Sequence, residues 1–301
     1  MTPTRALSLK AFVTLLLIAL MMSGNHIAAR LAFNSGMDVA TGVASRSGVT
    51  ALVLGVIIWW AKVPWRINRQ QARALVMIGL NIGVQSQMLY AAVARLPVAL
   101  ALLAFNTYPL WATLWDRLIY KRRPERSVLL AMPVILFGLA LALDVLGAAS
   151  GLGARDQWAL MGEGVGFAVA GAASFGLVLV WTQHETAGLD GRLRTGITVF
   201  LAGSVALATM AWHGGPQWPQ TPTGWGGLVM LTLLYGTAFT IMFTVLPKLG
   251  AAGNSAIMNV EPVFALLLGW AVLGQTIAPV QMLGALLVVA VVVKLGLRKV
   301  Q

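Results

Sequence analysis

At 301 residues, 58% of them hydrophobic and only 10% charged, the chain is too apolar to hide its surface in a water-soluble core, so lipid is its expected solvent. The net charge of +12 does not point to nucleic acid, because the cations lie in short clusters between apolar runs rather than on one face, as the positive-inside rule produces. With no Cys there are no disulfides and no thiolate metal sites.

A helix needs about 20 apolar residues to cross the hydrocarbon layer, and helices satisfy their own backbone groups there. Ten segments qualify: 10–32, 40–61, 72–93, 97–119, 126–147, 159–183, 193–213, 224–246, 253–273 and 276–297. Arg5 and Lys10 before the first could open a signal peptide. The run that follows is longer than the roughly 7–15 residues of such an apolar region, so a retained first span is expected. This span carries Asn25, His26 and Arg30. Pro64, Arg66 and Arg69 end the second span, whose apolar run opens at Arg46. The third holds Asn81, Gln85 and Tyr90, the first two sharing a helical face. The fourth holds Asn106, Tyr108 and Trp111, and Arg122, Arg123 and Pro124 separate it from the fifth. Ser174 lies in the sixth, Tyr235 in the eighth, and Asn259 and Glu261 in the ninth. The connections are short, so no soluble domain is expected.

With the N-terminus in the cytoplasm, seventeen Lys and Arg residues fall on the cytoplasmic side and only Arg95 and Arg155 on the other, with Arg30 and Arg46 inside or at the edge of spans. Both termini are therefore expected inside. Residues 95–110, RLPVALALLAFNTYPL, resemble residues 248–263, KLGAAGNSAIMNVEPV, and both reach N-x-x-P at Asn106–Pro109 and Asn259–Pro262. The copies lie five spans apart and so run in opposite directions, the pattern of an inverted repeat in secondary transporters. The implied units are residues 1–148 and 149–301. The fold class expected is all-α integral membrane, two inverted five-helix repeats around a central cavity.

Polar groups at membrane depth are costly and usually face the bundle interior. Asn25, His26, Asn81, Gln85, Tyr90, Asn106, Tyr108, Trp111, Ser174, Tyr235, Asn259 and Glu261 are therefore the candidate substrate-binding residues. They assign an inner ring to spans one, three, four, six, eight and nine, and a lipid-facing scaffold to the rest. The plain alternative for each amide or hydroxyl is a hydrogen bond between helices. Pro109 and Pro262 lack an N–H and free a helix carbonyl, which makes them candidate hinges or tolerated kinks. Glu261 could meet a substrate ammonium, a proton or a protein cation such as Arg46. No phosphate loop, catalytic triad motif or metal cluster is present, so neither an enzyme nor a cofactor is expected.

The stretches SGNHIAARLAF, LYAAVARLPVALALLAFNTYPLW and FTVLPKLGAAGNSAIMNVEPVFALLLGWAVLGQTIAPVQMLGALLVV, with Arg46 opening the second span, resemble the EamA-type ten-span members of the drug/metabolite transporter superfamily. Gln275 stands where that family usually has Glu. Within the superfamily the chain most resembles the YddG-type aromatic amino acid exporters. The resemblance implies a basket of inner helices, alternating access and export of aromatic amino acids from the cytoplasm across a bacterial inner membrane. The expected partners are that small-molecule substrate and the lipid bilayer, with no nucleic acid and nothing that requires more than a monomer. Efflux of drug-like cations is the alternative within transport, and a membrane receptor or scaffold the alternative outside it.

Overall fold

The computed structural model describes residues 9–122, 126–144, 146–147, 153–244 and 260–296, with backbone alone for a few residues at helix ends. Asn259, the second half of the N-x-x-P repeat before Val260, and the start of the ninth span lie outside the described residues. Among these residues the chain is all helical: α1 (Leu9–Asn34), α2 (Val39–Trp60), α3 (Arg69–Arg95), α4 (Val98–Phe105), α5 (Tyr108–Tyr120), α6 (Arg126–Ala142), α7 (Ala154–Glu185), α8 (Gly191–Trp212), α9 (Pro222–Thr244), α10 (Glu261–Leu273) and α11 (Pro279–Gly296). Seven helical segments, with Val98–Tyr120 counted as one, are long and apolar enough to cross a membrane, and three shorter apolar helices accompany them.

Local chemistry sets the breaks. Asp38 caps α2 by accepting from the backbone of Ala40 and Thr41. Asn68 and Gln71 form a capping box at the start of α3. The fourth predicted span, 97–119, is not one helix. It breaks at Asn106 and Thr107, because Pro109 cannot donate to the carbonyl four residues back and seats itself in the first turn of a new helix. Pro262 occupies the matching place in α10, whose first residue is Glu261.

The helices pack in recurring pairs. α1 lies on α9 and α3 on α7; α2 lies on α8, α6 on α11 and α4 on α10. α5 leans on α7, and α1 also meets α10. α4 is the apolar hub, with Val98 through Ala104 all buried. Small residues allow close crossings in membranes, where hydrophobic driving force between helices is weak. A Cβ added at Gly284 of α11 would stand 2.5 Å from the Gly138 carbonyl oxygen of α6.

Two side chains repair backbone groups that proline or a helix start leaves open. Val93 O would normally accept from residue 97, which is Pro97; Arg30 of α1 donates to it instead at 2.7 Å, and to Leu96 O at 3.3 Å. Gln275 Oε1 accepts from the first backbone N–H of α4, Val98 N, at 3.2 Å. A neutral amide suffices for that task, so Gln275 in place of the family's Glu is compatible with this packing.

Candidate functional site

Five helices bring a chain of ionisable and aromatic side chains together in the interior. Glu261, at the start of α10, places Oε1 3.3 Å from His26 Nε2 of α1, close enough for an ion pair but without the alignment of a hydrogen bond. The His26 ring lies 5.4 Å from the Tyr90 ring of α3. Tyr90 donates its hydroxyl to Asn25 Oδ1 at 2.8 Å. The Arg46 guanidinium of α2 lies over the Tyr90 ring at 4.2 Å and over the Tyr235 ring of α9 at 4.0 Å. Phe239 continues the aromatic wall, 4.4 Å from Tyr235. Phe33 meets the edge of Tyr90 at 5.7 Å.

Most of the cluster is shut away from water, although the Glu261 side chain stays 22% exposed. Arg46 is 3% exposed and His26 2%. Asn25 Nδ2, His26 Nδ1 and Arg46 Nε of the cluster are buried and have no hydrogen-bond partner among the described residues, and the same holds for Ser23 Oγ and Thr50 Oγ1 on the same two helices. Leaving one such atom buried and unpaired costs about 1–3 kcal/mol, more for a charged group. In a native structure such atoms call for an explanation, and a ligand or ordered water that meets them is one. Arg46 offers a planar fork suited to a carboxylate, and Glu261 with His26 can receive an ammonium or a proton. The described residues hold no group of His, Cys, Asp and Glu arranged for a metal ion.

Of the sequence candidates, Asn25, His26, Tyr90, Tyr235 and Glu261 meet here. Asn81 and Ser174 do not: Asn81 Nδ2 donates to Ser174 O at 3.0 Å, and Ser174 Oγ donates to Asn81 Oδ1 at 2.6 Å, which fastens α3 to α7. Gln85 is buried on α3 beside the α7 crossing. Tyr108 packs with Phe105 and Phe175, and Trp111 presses against Gly176 of α7. Asn106 is buried at the α4–α5 break. Arg46 is not among the candidates expected from the sequence, which assigns its helix to the scaffold. The correction is physical: α2 packs against α8 and α9, so its first turns face inward and bury Thr41, Arg46, Ser47 and Thr50. The available signal was the charge itself, since an ionisable residue inside a span is a functional candidate by default.

Seven helical segments long and apolar enough to cross a membrane, with a buried polar cluster among them, are the architecture of a multi-pass membrane transporter. The family follows from comparison: the model described as the EamA-like transporter family matches residues 9–143 and again 162–296. The chain belongs to this family and is a transporter rather than an enzyme. It is similar to the threonine/homoserine exporter RhtA of Salmonella typhimurium strain SL1344, 27% identical over 259 residues, covering 81% of this chain and 79% of that protein. It is equally similar to RhtA of Escherichia coli strain K12, 27% identical over 269 residues, covering 84% and 83%. A solved crystal structure shares the fold, with a TM-score of 0.57 at 16% identity over 94% of this chain and 95% of that one.

Proposed function

We propose that the protein exports neutral amino acids from the cytoplasm by alternating access, with the cluster around Arg46 as its central site. The observation that carries this reading is the meeting of opposite charges in one buried cluster: Arg46 on the faces of two tyrosines, and Glu261 beside His26. In this reading Arg46 takes the substrate carboxylate, Glu261 takes the ammonium, and the remaining polar atoms take what the side chain offers.

Ten crossings result if the three shorter apolar helices span as well. Loop contacts support that parity. Ser35 O accepts from Gln220 N at 2.8 Å, so the connection after α1 and the connection before α9 lie at one end of the bundle. An even number of crossings between them is required, and the segments α2, α3, α4–α5, α6, α7 and α8 supply six. The packing also supports the inverted repeat of residues 1–148 and 149–301. Exchanging α1–α6 with α7–α11 in order turns the α3–α7 pair into the α9–α1 pair, and carries α2–α8, α4–α10 and α6–α11 into themselves. In such a repeat, Asn106, Pro109 and Pro262 mark half-helix breaks where one bundle can rock against the other, with Asn259 completing the second motif. The bacterial inner membrane, with both termini inside, is the proposed location.

The aromatic substrates expected from the sequence find rings at Phe33, Tyr90, Tyr235 and Phe239. A second reading, small hydroxylated amino acids, is favoured by the named activity of the relatives and is compatible with the buried hydroxyls of Ser23 and Thr50, which have no partner among the described residues. Counterflow of labelled amino acid into liposomes holding purified protein separates them. Exchange driven by Phe or Trp but not Thr or homoserine supports the aromatic reading, and the converse supports the hydroxylated one. Exchange with none of them, by folded protein, overturns the amino acid proposal.

A further inference from the structure

Away from the central cluster, a cleft of about 650 Å³ opens between the first turns of α3, the last turn of α5 and the end of α7. Arg69, Arg73 and Met77 follow one another at four-residue steps, so they share the face of α3 that lines it. At 1.5 Å per residue each step descends about 6 Å along the helix, from two cations to a thioether. Met77 is 50% exposed and Ile119 44% exposed, and both are apolar walls that in a bilayer meet lipid. Trp181 adds an aromatic wall. Among the described residues neither Arg69 nor Arg73 makes an ion pair. The carboxylate in the cleft, Glu185, is already held: Gln70 Nε2 donates to Oε2 at 2.9 Å, and the Tyr120 hydroxyl donates to Oε1. Two arginines and one carboxylate leave the cleft one positive charge in excess.

We propose that this cleft is a binding site for one anionic glycerophospholipid, its phosphodiester on Arg69 and Arg73 and its acyl chains running along Met77, Ile119 and Trp181. A single phosphodiester cancels the excess charge, and arginine binds phosphate oxygens through its planar fork. The order of the lining matches the order of the lipid: charge at the bundle end, apolar carbon deeper. This end carries most of the chain's cations, the side where anionic head groups concentrate in membranes that follow the positive-inside rule. Glu185, fixed by Gln70 and Tyr120, stands where a hydroxyl on the head group can donate to it. Because the lipid bridges α3, α5 and α7, its binding holds their ends together.

The test is a melting series on purified full-length protein in detergent, with phosphatidylglycerol, phosphatidylcholine of the same chains, or inorganic phosphate added. Phosphatidylglycerol should raise the melting temperature, the other two should not, and the Arg69→Gln/Arg73→Gln double variant should lose the shift while Arg66→Gln, an exposed cation outside the cleft, keeps it. Equal protection by phosphatidylcholine, or a shift retained in the double variant, overturns the proposal; protection by inorganic phosphate reduces the cleft to an anion site and overturns the lipid assignment. A readout on the unaltered arginines guards against a double variant that fails to fold. Brominated-chain phosphatidylglycerol should quench tryptophan fluorescence more than brominated phosphatidylcholine, with the difference lost in Trp181→Phe; no difference between the lipids overturns the proposal. Neither measurement depends on the transported substrate.

Discussion

Arg46 lies in a shell that offers two tyrosine faces and no carboxylate within ion-pair distance among the described residues. Two desolvated cation–π contacts, each on the order of 2 kcal/mol, offset much of the several kcal/mol that burying an ion costs. In the proposed function a substrate carboxylate supplies the partner that the protein does not, and Arg46 acts as a recognition residue rather than a packing one. Arg46→Gln should therefore weaken amino acid binding at least tenfold, or about 1.4 kcal/mol, and weaken the matching amino acid amides much less. Inhibition of counterflow by the two ligand types measures this; equal losses for acid and amide would sink the carboxylate role. Asn25, His26, Tyr90, Tyr235 and Glu261 were legible in the sequence because each is a polar group in an apolar run. Asn81 and Ser174 have the same signature and turn out to fasten α3 to α7, since a composition pattern does not say which neighbour a side chain will face.

At the scale of elements, the spans were legible from apolar length, and their failures are as physical as their successes. The apolar run of the fourth is continuous and predicts one helix. Pro109 splits it, leaving α4 buried along nearly its whole length and α5 with no fully buried residue. The crossings between elements rest on glycine where backbones touch. An alanine Cβ at position 284 would meet both Gly138 O, at 2.5 Å, and Ala142 N, at 2.6 Å, neither of which is a flexible side-chain end. Gly284→Ala should destabilise the protein by about 1–3 kcal/mol through overpacking. Gly226→Ala, where nothing lies within 4 Å, should be neutral or stabilising by up to about 1 kcal/mol. Melting temperatures in detergent decide, and equal effects at the two positions would show that the α6–α11 crossing is not tight.

For the whole molecule, the charge bias in the sequence and the loop contacts in the structure bear on the same topology independently. Ser35 and Gln220 meet at one end, whereas Gln70 and Glu185 meet at the ends of α3 and α7. The chain has no Cys, so single cysteines can be introduced without background. In intact cells, a membrane-impermeant maleimide should label Gln220→Cys and should label Arg66→Cys only after the membrane is opened. Labelling of both from outside would overturn the ten-span topology. What no sequence pattern could supply at this scale is the meeting of α1, α2, α3, α9 and α10 in one cluster, because it depends on contacts between residues as far apart as His26 and Glu261.

The two rings that hold Arg46 come from α3 and α9, the third and eighth crossings in the ten-span reading, and they stand at nearly equal distances from its guanidinium, 4.2 and 4.0 Å. In the proposed inverted repeats these crossings are counterparts, so a movement that loosens one ring and tightens the other would pass the cation from one half of the molecule to the other. Arg46 would then keep an aromatic face beneath it in either posture, like a traveller who always has one foot on a stone.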